Sequence, residues 1–274
     1  MQLNHVEDGL IVDVGLGESA GPHGMMVLAG SGALAIDLVF ERVMDERDHS
    51  QLIALRVVSR EDQDALAVES HKRAANAVES GYFKEQITPV EIRVKRDTVM
   101  FDADETVRPD SSVEKLGKLR PVFDREGSVT PGNASSINDA AAAVVLMEKE
   151  AANKQGLRPL GRLVAYSYAG VDPKYMGIGP IPAVRSLLEK TGFGLDDIDV
   201  FEVNEAFAAQ AIAVCRELEL PPERTNPNGS GISLGHPIGA TGTILVVKAL
   251  YELKRTGGKR ALVTMCIGGG QGIA

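Results

Sequence analysis

The most informative run of residues is Ala261-Leu262-Val263-Thr264-Met265-Cys266-Ile267-Gly268-Gly269-Gly270-Gln271-Gly272-Ile273-Ala274. Its first five residues are mostly apolar, which predicts a buried strand. Cys266 closes this apolar run, and three glycines follow Ile267. Glycine permits a sharp turn and lets backbone N–H groups approach a ligand closely. The stretch therefore predicts a strand that brings a thiol next to an anion-binding turn.

An alternating order of helices and strands runs through the second half of the sequence. The patterns predict a helix opened by Pro180, a strand over Ile198–Val203, helices over Glu205–Glu217 and Ile238–Arg255, and a strand over Arg260–Met265. Helices that alternate with apolar strands pack on the faces of a mostly buried sheet. The sequence therefore predicts an α/β fold.

The first half of the sequence is less regular and richer in charge. Ser59 and Asp62 resemble a capping box ahead of a helix that Gly81 would end. The run Ile87–Val94 predicts an edge strand, because it contains a proline near its start. A change of composition near residue 137 predicts a domain boundary there.

Composition narrows the class of protein. The 274 residues carry a formal net charge of −9, which argues against broad binding to nucleic acid or to an anionic membrane. An apolar fraction of 44% suffices for a core, yet no apolar run is long enough to span a bilayer. Two cysteines cannot form a disulfide framework. We therefore expect a cytoplasmic protein that binds neither nucleic acid nor membrane.

Three short motifs lie where predicted strands end or predicted helices begin. They are N-E-A-F-A at 204–208, G-H-P-I-G-A-T-G at 235–242 and C-I-G-G-G at 266–270. Ligands of open α/β sheets bind in the crevice beyond the carboxyl ends of the strands. We therefore expect Asn204, His236 and Cys266 to converge on one rim of the sheet.

Each of these side chains also has a purely structural interpretation. A lone histidine is usually structural, but the unusual G-H-P-x-G backbone around His236 favours a shaped site. A free cysteine is commonly a small buried hydrophobic residue, whereas the glycines after Cys266 favour a reactive thiol with a lowered pKa. Asn204 could simply cap the next helix. We assign Cys215, which lies among Ala, Ile and Val, to the core.

Several common kinds of site have no sequence pattern here. The G-G-G-Q-G run at 268–272 is not a dinucleotide fingerprint, and the G-H-P-I-G-A-T-G motif lacks the Lys-Ser/Thr of a phosphate loop. The five histidines and two cysteines show no metal-ligand spacing. We expect no metal site and no bound cofactor.

Together, the three motifs resemble those of the thiolases, in particular the acetyl-CoA acetyltransferase and 3-ketoacyl-CoA thiolase group. Their joint occurrence in this order is highly specific. The resemblance covers residues 58–274 well and residues 6–25 loosely. Supporting matches are S-R-E-D-Q-D at 59–64, R-P-D at 108–110, K-L-R-P at 118–121, G-N-A-S at 132–135 and M-G-I-G-P at 176–180.

The resemblance implies a thiolase-like fold, in which two similar α/β halves stack and a loop domain in the first half holds coenzyme A. Residues 1–137 resemble the loop domain, although residues 1–58 are hard to assign. Residues 138–274 resemble the last strand of the first half, at Ala140–Met147, followed by the C-terminal half. Most of the first half is then missing, and we expect a chain truncated at both ends.

The resemblance also implies a reaction, the reversible Claisen condensation of two acetyl-CoA molecules or the thiolytic cleavage of a 3-ketoacyl-CoA. His236 is similar to the base that activates the attacking thiol. Cys266 is similar to the acid/base that moves the α-proton of the second acetyl-CoA. Asn204, through a water, and His236 are similar to the oxyanion hole for the enolate. The Gly268 N–H is similar to part of a second hole.

Further positions match the family's substrate contacts. Ser135, Met176, Ala206 and Phe207 match residues that line the pantetheine tunnel. Arg108 matches a position near the nucleotide end of coenzyme A. The coenzyme A thioester is a substrate of this family, so the resemblance implies no cofactor.

One element of the family pattern has no match in this sequence. The nucleophilic cysteine of the thiolases precedes the loop domain, and neither Cys215 nor Cys266 matches it. We therefore expect the chain alone to be inactive or impaired, and to form a homo-oligomer or pair with a complementing chain. Two alternatives stay open. One is a non-catalytic module that binds coenzyme A or a partner protein, and the other is a cysteine thioesterase that uses Cys266, His236 and Asn204.

Overall fold

The computed structural model describes the backbone of residues 11–14 and 26–27 and the whole of residues 58–274. Most of residues 1–58, and most of the loose family match at 6–25, therefore lie outside the described residues. The helices are α1 (Arg60–Glu79), α2 (Val113–Gly117), α3 (Lys149–Lys154), α4 (Pro180–Thr191), α5 (Ala208–Glu217), α6 (Gly231–Leu234) and α7 (Thr241–Thr256). The strands are β1 (Ile11–Val14), β2 (Met26–Val27), β3 (Val90–Val94), β4 (Asp97–Phe101), β5 (Val145–Met147), β6 (Gly161–Leu163), β7 (Tyr168–Gly170), β8 (Val200–Val203), β9 (Ala261–Ile267) and β10 (Gln271–Ile273).

The described strands form three sheets. The first has the order β2-β5-β1-β6, and the second has the order β7-β10-β9-β8. Strands β3 and β4 form a separate two-stranded hairpin. In the second sheet β8 and β9 run parallel, with Val203 opposite Thr264. Parallel pairing places the carboxyl ends of β8 and β9 at the same edge of the sheet.

The largest apolar core lies between the second sheet and helices α4 and α5. Phe201 and Val203 of β8 are fully buried there and pack with Val184 of α4 and Val214 of α5. Burying side chains of this size stabilises a fold by roughly 1.5–3 kcal/mol each. Helices thus cover an apolar sheet, and the predicted α/β class is confirmed.

The predicted helices of the second half form, but two of them begin three residues late. Helix α5 begins at Ala208 because the residues before it pair with another segment, through an antiparallel bridge between Phe207 and Ala134. Helix α7 begins at Thr241 because Pro237 and Ala240 form a turn, with the Ala240 N–H donating to the Pro237 carbonyl. In both places the helical pattern ends where candidate site residues begin.

In the first half of the chain, the observed helices and strands differ more from the bounds predicted from the sequence. Helix α1 forms as predicted, and the Ser59 hydroxyl accepts a hydrogen bond of 3.0 Å from the Asp62 N–H. Strand β3 covers only Val90–Val94, and among the described strands it pairs only with β4. The strand expected over Ala140–Met147 is shorter, because only Val145–Met147 pairs in parallel with β1. The described residues contain no helix long and apolar enough to cross a membrane.

The glycines after Cys266 make the sharp turn that the sequence predicts. Gly269 and Gly270 join β9 to β10 with φ angles of 87° and 88°, which L-residues with side chains rarely adopt. Gly272 has a different role, which the sequence did not reveal. A Cβ placed on Gly272 would lie 2.1 Å from the carbonyl carbon and oxygen of Gly179. Strand β10 therefore packs backbone against backbone on the segment that opens α4.

This close packing predicts that Gly272→Ala destabilises the fold. The new methyl group meets backbone atoms, which cannot rotate away, so we expect a loss of about 2–4 kcal/mol in the free energy of unfolding. Gly117→Ala is a matched control, because a Cβ on Gly117 has nothing within 4 Å. Urea unfolding followed by circular dichroism measures both variants. Equal midpoints for Gly272→Ala and the wild type would contradict the packing.

Candidate active site

Asn204 and Cys266 lie at the carboxyl edge of the parallel pair β8 and β9. The Asn204 N–H donates a hydrogen bond of 3.0 Å to the Thr264 carbonyl, and so extends the pairing by one residue. Cys266 follows Thr264 by two residues on the neighbouring strand. Both side chains are buried, with exposed fractions of 0% for Asn204 and 5% for Cys266. The sheet therefore brings these two side chains to one edge.

His236 reaches the same site from the loop between α6 and α7. The Asn204 amide nitrogen lies 3.2 Å from His236 Nε2. On the other side of the ring, His236 Nδ1 lies 2.7 Å from the Thr241 hydroxyl oxygen. Gly235 precedes His236 with a φ of 90°, and the Asn138 side chain occupies the space that a Cβ there would need. The structure thus brings Asn204 and His236 into direct contact.

The surrounding hydrogen bonds select one tautomer of His236. The Thr241 hydroxyl donates to the Pro237 carbonyl over 3.0 Å, so its oxygen is left to accept. His236 Nδ1 must then carry the proton that is donated to Thr241. His236 Nε2 is left with a lone pair, which accepts from the Asn204 amide. This tautomer presents Nε2 as a base at the site.

Burial keeps the His236 ring uncharged. Loss of water around the ring lowers the pKa of His236 to about 4. The imidazole is therefore neutral near pH 7 and can take a proton at Nε2. Once it has done so, Nε2–H becomes a donor that can stabilise a negatively charged oxygen. A ring of this low pKa is a weak base, so its main form at neutral pH is the neutral acceptor at Nε2.

The thiol of Cys266 differs from the sequence expectation. Burial raises the pKa of Cys266 to about 12, whereas the glycine turn favoured a lowered pKa. The expectation was wrong because loss of water outweighs the hydrogen bond that the thiol makes with its own backbone. A thiol of this pKa is protonated at neutral pH. Its rare thiolate is correspondingly a strong base.

Cys215 has an equally unreactive thiol, for the same reason. Burial raises the pKa of Cys215 to about 12. The side chain packs against the main core cluster beside Val214, as expected from its apolar surroundings in the sequence. Cys215 and Cys266 thus have thiols of similar pKa, but Cys215 is half-buried in α5, whereas Cys266 is buried at the edge of the second sheet.

A second apolar cluster surrounds Cys266. It contains Met176, Ala206 and Phe207, three of the residues matched to the substrate tunnel. The Phe207 and Phe123 rings meet edge to face, with centroids 6.2 Å apart. Ser135 is tied to this cluster through its backbone, since its N–H donates to the Ala206 carbonyl over 3.0 Å. The apolar side chains exclude water from the Cys266 thiol.

Arg108 lies apart from the Asn204–His236 pair, at a cleft of about 350 Å³. Its backbone N–H donates to His71 Nδ1 over 3.2 Å. Burial and the nearby Arg108 charge both lower the pKa of His71. The two side chains line the cleft together with Ser136 and Asn138. A neutral imidazole and an arginine at a cleft wall suit an anionic ligand with hydrogen-bonding groups.

Asn138 and Ser136 link the cleft to His236, although the sequence analysis did not identify them. The His236 N–H lies 3.2 Å from Asn138 Oδ1 and 3.3 Å from the Ser136 carbonyl. Nothing in their local sequence marks these residues, because the contact crosses nearly a hundred positions. His71 could have been found, since it falls on the buried stripe of α1 with Ala67 and Ala74.

A buried charge network lies below the rim. Glu205 accepts hydrogen bonds of 2.6 Å from the Ser70 hydroxyl and 3.0 Å from the Asn226 amide. Burial raises the pKa of Glu205 and that of Glu202, and Glu202 pairs with Lys248 over 2.8 Å. These contacts fix the strand end that carries Asn204. Gly268, the remaining candidate, is partly exposed in the turn after β9.

Within the described ranges, no three His, Cys, Asp or Glu side chains cluster as a metal site requires. The polar groups at the rim are instead an amide, an imidazole and a thiol. These groups can move protons and donate hydrogen bonds, which is the chemistry needed at a carbonyl or thioester.

Comparison with known proteins places this geometry in a family. The thiolase N-terminal domain matches residues 48–150, and the thiolase C-terminal domain matches residues 157–274. The beta-ketothiolase BktB of Cupriavidus necator is 61% identical over 218 residues, which are 79% of this chain and 55% of that protein. The acetyl-CoA acetyltransferase of Syntrophomonas wolfei is 52% identical over 219 residues, with the same coverage of 79% and 55%. The chain thus spans about half the length of these relatives.

Solved structures of similar proteins have a similar fold. The crystal structure of the Bacillus anthracis acetyl-CoA acetyltransferase has a TM-score of 0.83 and 48% identity, and the match covers 86% of this chain and 62% of that one. The human mitochondrial 3-ketoacyl-CoA thiolase in complex with CoA has a TM-score of 0.78 and 44% identity, and the match covers 82% and 56%. Two domains of one family account for most of the chain, and this chain belongs to the thiolase family.

Proposed function

We propose that this chain binds coenzyme A thioesters and carries the enolate-forming part of a thiolase-type acyl transfer. The corresponding reaction is the Claisen condensation of two acetyl-CoA molecules, or the reverse cleavage of a 3-ketoacyl-CoA. The observation that carries the proposal is the 3.2 Å contact between Asn204 and His236, at the sheet edge where Cys266 also lies. The names of the relatives support the same class of substrate.

The proposed chemistry moves one proton and one electron pair. The Cys266 thiolate takes a proton from the methyl carbon of an acetyl thioester, and the C–H electron pair moves onto the thioester oxygen as an enolate. Donors at that oxygen must be in place beforehand, because the enolate is unstable in water. Asn204 is suited to hold a water molecule as one of these donors, since its Oδ1 is buried and has no partner among the described residues. Such an acceptor binds a water or a ligand donor.

The pKa of the thiol separates the competing functions. A cysteine nucleophile must be a thiolate near neutral pH, and burial keeps Cys266 and Cys215 protonated there. This argues against a thioesterase that attacks through Cys266. It also argues against assigning the acyl-enzyme step to either cysteine. A module that binds coenzyme A without turnover is the second candidate function, and the raised thiol pKa favours it over the hydrolase.

The first prediction for this function concerns exchange of the methyl protons of acetyl-CoA in heavy water, followed by proton NMR. We expect the chain to catalyse the exchange, and Cys266→Ala to slow it by about 10²–10⁴-fold because the proton acceptor is lost. Cys215→Ala is the matched control, since it removes a thiol of similar pKa that lies in α5, away from the sheet edge. Equal exchange by the Cys266→Ala variant and the wild type would contradict the assignment.

A second prediction concerns the pH dependence of this exchange. With the pKa of Cys266 at about 12, the thiolate fraction rises tenfold with each pH unit below that value. The exchange rate should therefore rise with a slope of about one logarithmic unit per pH unit between about pH 6 and 10.5. No inflection should occur near pH 6.5, because the pKa of His236 is lowered to about 4. A plateau above about pH 9.5 would show an ordinary thiol instead, whose pKa is 9.0.

The proposal also covers the association of the chain with partners and its location in the cell. We propose that the chain forms a homo-oligomer, with a complementing chain as the alternative, and works in fatty acid metabolism in the cytoplasm. The observation that supports association is one face of the β3–β4 hairpin, where Ile92, Val99 and Phe101 are exposed together. An apolar sheet face of this kind invites pairing.

Sedimentation equilibrium tests the association. We expect a mass above the 29.1 kDa of one chain. Val99→Lys should lower that mass, because a charge on the apolar face opposes its burial. Thr98→Lys is the control on the opposite face of the same strand. A single 29.1 kDa species for the unmodified chain would exclude the homo-oligomer.

A further inference from the structure

A chain of polar side chains crosses from helix α1 to a loop of the cleft. Arg60 Nε donates to Asp64 Oδ2 over 2.8 Å, one turn along the helix. The other carboxylate oxygen, Asp64 Oδ1, accepts from the Asn133 amide over 2.9 Å. Asp64 and Asn133 are buried, with exposed fractions of 2% and 0%. Each oxygen of this buried carboxylate therefore has one partner, on a different segment of the chain.

The same arginine reaches the end of helix α2. Arg60 Nη2 donates to the Leu116 carbonyl over 2.7 Å and to the Leu119 carbonyl over 3.1 Å. The last carbonyls of a helix lack partners within the helix, so a cation that binds them fixes where the helix ends. The guanidinium can do this and hold Asp64 at once, because it has five donors in a rigid fork.

Asn133 in turn fixes its own loop. Its Oδ1 accepts from the Thr130 N–H over 2.8 Å, and its Nδ2 also donates to the Ser128 carbonyl over 3.1 Å. Its backbone carbonyl accepts from the Ala208 N–H over 2.9 Å, which ties the loop to the start of α5. One side chain thus sets the loop that leads to Ser135.

The two segments held in this way are two walls of the cleft beside Arg108. Leu116 and Leu119 line one wall, and Gly132 and Ala134 line the other. The walls touch, since a Cβ on Gly132 would lie 2.6 Å from Leu116 Cδ2 and 2.7 Å from Leu119 Cδ1. Arg60, Asp64 and Asn133 are not among the residues that line the cleft.

We infer that Asp64, with Arg60 and Asn133, positions the two walls of the cleft for its coenzyme A thioester. The identity of the ligand rests on the proposed function. The hydrogen-bonded set of Arg60, Asp64 and Asn133, called the brace below, does not depend on it. Asp64 is a positioning residue, since it acts through the end of α2 and the loop 128–135 and does not touch the cleft. Breaking the brace should loosen both walls together and weaken binding.

Asp64→Asn tests the brace, because two explanations predict opposite changes in the affinity for an anionic ligand. The substitution keeps the shape but removes a negative charge and turns one acceptor into a donor. If only charge mattered, an anionic ligand would bind more tightly. If Asp64 positions the walls, coenzyme A should bind about tenfold more weakly, since charge-assisted hydrogen bonds are lost. Isothermal titration calorimetry with coenzyme A on the full chain distinguishes the two.

Glu69→Gln is the matched control. Glu69 lies on the same helix and pairs with Arg73 over 2.8 Å at the same i,i+4 spacing, but neither residue lines the cleft. Arg60→Lys is the second variant, because it keeps the positive charge while a single ammonium cannot hold Asp64 and two carbonyls in the same geometry. We expect Arg60→Lys to weaken binding and Glu69→Gln to leave it within twofold.

Hydrogen exchange measured by mass spectrometry tests the brace without any ligand. In Asp64→Asn and Arg60→Lys, peptides that cover 113–120 and 128–136 should exchange about tenfold faster, while peptides from β8 and β9 stay unchanged. Unchanged exchange in both segments would overturn the brace. Faster exchange with unchanged coenzyme A affinity would overturn its role in binding. A wild-type chain that does not bind coenzyme A would overturn the proposed function and the ligand assignment, while the exchange data still decide the brace.

Discussion

The parallel pairing of β8 with β9 is the constraint on which the rest of the site depends. The backbone hydrogen bond from Asn204 to Thr264 sets the register, and the register decides which side chains reach the edge. A shift of one residue would turn the side chains of one strand to the other face of the sheet. Fully buried Phe201 and Val203 oppose such a shift, because it would carry them away from the core. Core packing and site geometry are thus fixed by one register.

Around this edge, backbone contacts also hold together segments that are distant in the sequence. Strand β10 lies against the start of α4 because Gly272 and Gly179 have no side chains to separate them. The loop with Ser135 pairs with Ala206 and Phe207 through backbone hydrogen bonds. Contacts between backbone atoms restrict few side-chain rotamers, so they cost little side-chain conformational entropy. Such contacts suit a site whose donors must be in place before a charge develops.

The sequence predicted the elements and the three motifs better than their connections. Periodicity located α4, α5 and α7, and the position of motifs at strand ends predicted that Asn204 and His236 converge. The sequence pattern placed the start of α5 too early, because local helical propensity does not reveal the bridge from Phe207 to Ala134. It missed Asn138 for a similar reason, since its contact with His236 is tertiary. Patterns in sequence report local preference and burial, whereas long-range hydrogen bonds leave no periodic signal.

The acidity of Cys266 is the case where local sequence was misleading, and its cause is informative. Backbone N–H groups lower a thiol pKa by donating to the thiolate, whereas loss of water raises it. Here Met176, Ala206 and Phe207 surround the sulfur, and burial dominates. The side chains matched by resemblance to the substrate tunnel therefore also set the basicity of the thiolate. At neutral pH the thiol is protonated, because burial disfavours the charged thiolate.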